Sequence, residues 1–169
     1  MKLDTKKLAI SAMIITLDVI FTRLLAINTP LVKIGFGFAA VALAAMMFGP
    51  IWAMFTAALG DFVGSMIFPV GPFFPGFTLT AALTGLIFGL CLYNKRGSKL
   101  RPIIAAALNC LLVTLIANTA LIAYISGNDY SVLFTARIVQ FLVMFPVQSL
   151  VLLWLNNSGV VDMLEGKNK

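Results

Sequence analysis

The chain is 169 residues long, 61% hydrophobic and only 11% charged, with a mean hydropathy of +1.04, whereas soluble domains carry roughly 25% charged residues. No water-soluble fold could cover that much apolar surface, so a soluble enzyme or binding domain is excluded. The net charge of +6 does not point to nucleic acid, because the basic residues sit at the edges of apolar segments, where they set membrane topology.

At about 20 residues per span, the length supplies an all-α membrane protein of six transmembrane helices in one domain, residues 1–169. Span one covers residues 8–27, preceded by Lys2, Lys6 and Lys7; no small-residue cleavage site follows, so it reads as a retained start. Asn28, Thr29 and Pro30 close it. Span two covers 36–48, and Gly49-Pro50 ends it and starts span three at 51–68, since glycine suits a helix C-terminus and proline a first helical turn. Residues 69–76, PVGPFFPG, hold three prolines and read as an ordered loop at membrane level, tolerated there where it lines a cavity. Spans four, five and six cover 77–94, 102–125 and 130–155. Alternate counting from a cytoplasmic start puts Lys2, Lys6, Lys7, Lys95, Arg96, Lys99, Arg101, Lys167 and Lys169 on one side, so both termini are expected in the cytoplasm.

Histidine is absent and Cys91 and Cys110 lie within apolar segments, which leaves no metal-ligand cluster and no Ser-His or Cys-His nucleophile. No metal and no cofactor is expected. Four ionisable residues do fall within spans: Asp18, Arg23, Asp61 and Arg137. Each costs about 2.5–3.5 kcal/mol at a helix centre on insertion scales, so each needs a partner, a cavity or the interface.

Asp61 lies eleven residues after Pro50, roughly 16 Å into a core about 30 Å thick. Gly64, Ser65 and Phe68 share its face, which suits a pocket wall, although a structural ion pair with Arg137 fits as well. Arg137 shares a face with Phe134, Gln140, Phe141, Met144 and Gln148, the apolar wall with a few polar groups that ligand pockets have. Arg23 and Lys33 stand near the outer rim and either snorkel to lipid phosphates or attract an anion. Asp18 is about 140° from Arg23 around the helix and is given a structural role.

Phe36, Phe38, Phe68, Phe73, Phe74 and Phe77 crowd the proline loop, which suits stacking on a flat aromatic ligand. Asn109, Thr114 and Asn118 read as interhelical hydrogen-bonding groups. Ala9, Ala12 and Thr16 form a small-residue strip on span one, for packing inside the bundle or for docking another membrane subunit.

These features, and above all the stretch KIGFGFAAVALAAMMFGPIWAMFTAALGDFVGSMIFPVGPFFPGFTLTAALTGLIFGL from Lys33 to Leu90, resemble the substrate-binding S components of energy-coupling factor (ECF) transporters, most nearly their folate-specific branch. The resemblance implies a multi-pass protein of the bacterial plasma membrane. It implies capture of a vitamin from outside and delivery by toppling when docked on a transmembrane coupling subunit and two cytoplasmic ATPases. The chain lacks a phosphate-binding GxxxxGK[ST] motif, so energy must come from those partners. The family's first-helix docking pattern is AxxxA; here Ala9 is followed four residues later by Met13, and Ala12 by Thr16.

The chemistry of folate suits the candidates. A carboxylate accepts the two adjacent N–H groups of a pterin edge, aromatics stack on its ring, and cations meet its two tail carboxylates. The expected site is Asp61 for the pterin, Arg23, Lys33 and Arg137 for the tail, and Phe38, Ser65, Phe68 and Gln140 as walls. Loops carrying Asn28 and Pro30, and Pro72, Phe73, Phe74 and Pro75, would close over it. The alternatives are another vitamin (pantothenate, riboflavin or thiamine) or a ligand-free assembly subunit. A lipid-acting enzyme is disfavoured, because neither Asp18 nor Asp61 has a second carboxylate at helical spacing to bind Mg²⁺.

Overall fold

The computed structural model describes residues 5–28, 33–69, 73–94, 98–127, 130–158 and 160–165. Helix α1, Thr5–Val19, continues as a wider π-helical stretch, Ile20–Leu24. Two short strands follow, β1 Ile27–Asn28 and β2 Lys33–Ile34, paired antiparallel with Ile27 opposite Ile34. Then come α2 Gly37–Phe48, α3 Pro50–Ile67 and α4 Pro75–Leu92. Helix α5 runs Leu100–Ser126 with its middle, Asn109–Ala117, wound as π-helix. Helix α6, Tyr130–Asn157, passes through Pro146 without ending, and the short α7, Val160–Glu165, closes the described chain.

Four of these helices, Pro50–Ile67, Pro75–Leu92, Leu100–Ser126 and Leu133–Asn157, are long and apolar enough to cross a membrane. Along α3 the large apolar residues Ile51, Phe55, Leu59, Phe62 and Met66 are exposed, while Ala53, Ala57, Gly60 and Gly64 face inward. That pattern inverts the usual soluble helix: bulky side chains meet lipid and small ones permit close helix approach. Helix α2 has a different role. Its twelve residues span about 18 Å at 1.5 Å each, too short to cross alone, and nine of them are buried. A helix apolar on all sides belongs at the centre of a bundle.

The α2–α3 junction is a one-residue turn at Gly49, tighter than the Gly49-Pro50 connection read from the sequence. Gly49 adopts φ +87°, a conformation open to glycine alone at little cost, and Pro50 occupies the first helical turn. Helix α4 begins two residues earlier than expected, at Pro75, because proline's fixed φ suits a helix start. Pro75 is therefore the first residue of a helix rather than part of the loop. The base of α1 is pinned by Lys7, whose Nζ lies 4.3 Å from the Trp52 ring centre and 5.3 Å from that of Phe48. Trp52 in turn donates to Ser11 Oγ at 2.8 Å.

Helices α3 and α4 meet backbone to backbone. A Cβ at Gly85 would collide with the Ala53 backbone, and one at Gly89 with Pro50. Backbone cannot swing aside, so Gly89→Val should force the pair apart at about 1–3 kcal/mol and lower the unfolding temperature in detergent by several degrees. Leu79→Val, on the lipid face of the same helix, should change it little. Equal stability of the two variants would contradict this packing.

Candidate functional site

The helices enclose a partly open cavity of about 510 Å³, lined from α1, α2, α3, α4, α5 and α6. Its most polar corner lies between α1 and α3. Arg23 Nη2 donates to Asp61 Oδ1 at 3.2 Å and approaches the Asp61 carbonyl at 3.4 Å. Thr78 Oγ1 donates to the other carboxylate oxygen at 3.0 Å. The pair is largely withdrawn from solvent, with side-chain exposures of 10% for Arg23 and 20% for Asp61. Sequence puts Arg23 there through two local devices. Arg23 lies in the π-helical stretch that continues α1, and Gly64 leaves space, since a Cβ at that position would sit 3.1 Å from Arg23 Nε.

Asp18 also lines the cavity and is 5% exposed. Its carboxylate is wedged against Gly37 and Gly60; a Cβ at either glycine would collide with it. Thr22 Oγ1 donates to the Asp18 carbonyl at 2.7 Å, tightening the turn that carries Arg23. Two carboxylates thus border one end of the chamber.

The opposite wall is built from α5 and α6. Arg137 is 4% exposed, donates through Nη1 to the Thr114 carbonyl at 3.0 Å, and leaves Nε without a partner. Its acceptor lies in the π-helical middle of α5, where backbone pairing is offset and carbonyls become available to side chains. A chain of neutral groups connects three helices beneath it. Thr84 donates to Asn109 Oδ1 at 2.9 Å and Asn109 Nδ2 donates to Gln148 Oε1 at 3.2 Å. Thr80 and Asn118 meet at 2.9 Å. Aromatic rings form the remaining wall: Phe73 sits edge-on to Phe62 at 5.7 Å, and Phe74 edge-on to Phe77 at 6.4 Å.

Of the residues read from the sequence, Arg23, Phe38, Asp61, Ser65, Phe73, Phe74, Arg137 and Gln140 all line this one cavity. Phe68, just past the end of α3 and 41% exposed, does not; its backbone has left the helical conformation, so helical spacing no longer fixes where its ring lies. Pro30 and Pro72 lie outside the described residues, as do the side chains of Asn28 and Lys33. The ion pair weighed between Asp61 and Arg137 forms instead with Arg23, because Arg137 is tied to α5. Ala9, Ala12 and Thr16 are exposed along α1, with Thr16 Oγ1 returned to the Ala12 carbonyl at 2.9 Å.

Thr22, Thr80 and Thr84 also line the cavity and were not read as site residues, as does Asp18, which was read as structural; Phe77 and Gln148, read on candidate ligand faces, line it too. Thr80 and Thr84 were detectable, since two hydroxyls at i, i+4 in an apolar helix mark one polar face. The proximity of Asp18 to the site depends on Gly37 and Gly60, which are far from it in sequence.

Comparison with known proteins gives consistent results. The family described as "ECF transporter, substrate-specific component" matches residues 6–156. A folate transporter FolT from Clostridium novyi (strain NT) is 43% identical over 160 residues, covering 94% of this chain and 91% of the relative. FolT from Leuconostoc mesenteroides subsp. mesenteroides is 33% identical over 171 residues, covering 95% and 90%. A crystal structure of FolT bound with folic acid superposes with a TM-score of 0.88 at 33% identity, covering 92% of this chain and 95% of that one.

The Arg23–Asp61 pair yields a direct stability test. Arg23→Met strands a carboxylate in the bundle and should destabilise the detergent-solubilised protein. Adding Asp61→Leu should restore much of the loss, giving a coupling of about 1–3 kcal/mol. Additive losses in the double variant would show that the two groups do not depend on each other.

Proposed function

We infer that this chain, which belongs to the substrate-specific components of ECF transporters, is the folate-binding subunit of such a transporter. The chain is a membrane-embedded binding protein and not an enzyme. The observation that carries the reading is a carboxylate, Asp61, held on the wall of a 510 Å³ aromatic-sided cavity, a size within the roughly 300–1,000 Å³ of small-molecule sites.

Asp61 accepts one bond on each oxygen, from Arg23 and Thr78, whereas a carboxylate can accept about four. One lone pair on each oxygen therefore stays available, which suits the paired N–H donors of a pterin edge. Arg23 and Thr78 fix the carboxylate's plane, so the fork is oriented before the ligand arrives. Phe38, Phe73, Phe74 and Phe77 offer faces and edges to the flat ring. Arg137, with an unpartnered Nε, suits one carboxylate of the glutamate tail, and Lys33, a residue of β2, is assigned to the other by charge alone. Ser65 and Gln140 complete the walls, and Phe68 is left to lipid.

The same reading includes closure of two loops over the ligand. Phe73 and Phe74 stand at the cavity immediately before α4, so movement of the segment carrying Pro72, together with the connection from Asn28 through Pro30 to β2, would seal a bound ligand from water. Release requires that seal to open. The chain docks, in this reading, through the exposed Ala9, Ala12 and Thr16 on a transmembrane coupling subunit served by two ATPase subunits. Pantothenate, riboflavin and thiamine are the competing vitamins; pantothenate has no ring for the phenylalanines to stack on.

Calorimetry on the detergent-solubilised protein should give saturable binding of folic acid and none with pantothenate, riboflavin or thiamine. Asp61→Asn should weaken folic acid binding by about tenfold or more, since hydrogen bonds to a charged group contribute about 1.5–3 kcal/mol. Binding of another vitamin in place of folic acid, or an unaltered affinity in Asp61→Asn, would contradict the assignment.

A further inference from the structure

The cavity's two ends differ in hydrogen-bonding character. Asp18 and Asp61 put carboxylate oxygens at the α1–α3 end, whereas the α5–α6 end holds Arg137 and the neutral chain Thr84–Asn109–Gln148. Asn109 is 4% exposed and uses both ends of its amide, Oδ1 toward Thr84 and Nδ2 toward Gln148. Gln148, also 4% exposed, receives Asn109 Nδ2 at 3.2 Å and Cys110 Sγ at 3.3 Å, both on Oε1. With its carbonyl oxygen taken twice, the end of the amide left for the cavity is the NH₂ group.

Joining α5 to α6 would need only the Asn109–Gln148 contact. Extending the chain to Thr84 on α4 does something more: Thr84 Oγ1 lies closer to Asn109 Oδ1, at 2.9 Å, than to the Thr80 carbonyl, at 3.1 Å. The direction of the Gln148 amide rests on the two donors its Oε1 receives, Asn109 Nδ2 and Cys110 Sγ. A polar N–H group fixed in a lipid-surrounded cavity is costly unless something there accepts from it.

We propose that Gln148 is a specificity-determining contact that donates to the acceptor edge of the ligand's ring, with Asn109 as the positioning residue behind it. The inference rests on the folate reading above. A pterin carries donors on one edge, at N3 and the 2-amino group, and acceptors on another, at the 4-oxo group and N5. Carboxylates at one end of the chamber and a fixed amide donor at the other match those two edges and set the ring's orientation. A ring with an amino group at position 4 would turn a donor toward Gln148.

The test is a ligand–protein cycle on the full chain in detergent, using folic acid and its 4-amino analogue. Each protein's fold is checked by thermal unfolding. Because 4-amino substitution also alters N3, the quantity that decides is the change in the affinity ratio between proteins. Gln148→Met should weaken folic acid by about fivefold or more, the loss of one oriented hydrogen bond, and the analogue by less than about twofold, so the ratio narrows. Gln148→Glu, which offers only acceptors when ionised, should shift the ratio further toward the analogue. If both ligands weaken in the same proportion in either folded variant, Gln148 serves packing alone and the proposal fails. If the unmodified protein binds folic acid but its ratio survives both substitutions, this inference fails while the folate reading stands. If it binds neither ligand, both fall.

Discussion

An ionised carboxylate inside a lipid-embedded bundle is the constraint to which the surrounding architecture answers. Asp61 cannot be exposed to hydrocarbon at a tolerable cost, and α3 offers it no partner at helical spacing. The partner arrives from α1: the π-helical stretch at Ile20–Leu24 delivers Arg23, Gly64 clears the path for its guanidinium, and Thr78 on α4 occupies the second oxygen. Three helices are thereby tied at one point. A fully neutralised pair would need no cavity beside it. Here two lone pairs remain, and a chamber of about 510 Å³ adjoins them.

The same economy of small residues recurs throughout. Gly85 and Gly89 bring α4 against α3, and Gly37 and Gly60 seat the Asp18 carboxylate. Helix α2, too short to cross and buried on nearly every face, contributes Gly37, Phe38 and Val41 to the chamber wall. The chamber's polarity, carboxylates toward α1 and α3 and donors toward α5 and α6, follows from which helices contribute acids and which contribute amides.

Much of this is legible in the sequence where local chemistry has one solution. Gly49-Pro50 permits one kind of junction, and an aspartate near the middle of an apolar segment permits few environments. The polar and aromatic spacing on α6 likewise located Arg137 and Gln140 on a cavity face. What escaped reading depended on pairings between distant segments. No helical periodicity links Arg23 to Asp61, so the sequence points to Arg137 on α6 as the opposing cation. The π-helical stretches leave no mark in apolar periodicity, yet they carry Thr22, Arg23 and Asn109 to the site. Phe68 looked like wall by spacing and is not, because α3 ends before it. Membership of the ECF substrate-specific components, by contrast, was legible from the stretch between Lys33 and Leu90, where glycine, proline and aspartate positions are the ones the structure uses.

The central claim is that the buried carboxylate is retained because a polar guest meets it. An experimental structure of the protein saturated with folic acid tests this most directly. The account predicts ring density in the cavity with the pterin's N–H edge within hydrogen-bonding distance of Asp61 and Arg23 still against the same carboxylate. Density elsewhere, or a ligand whose ring contacts leave Asp61 engaged only by Arg23 and Thr78, would contradict it.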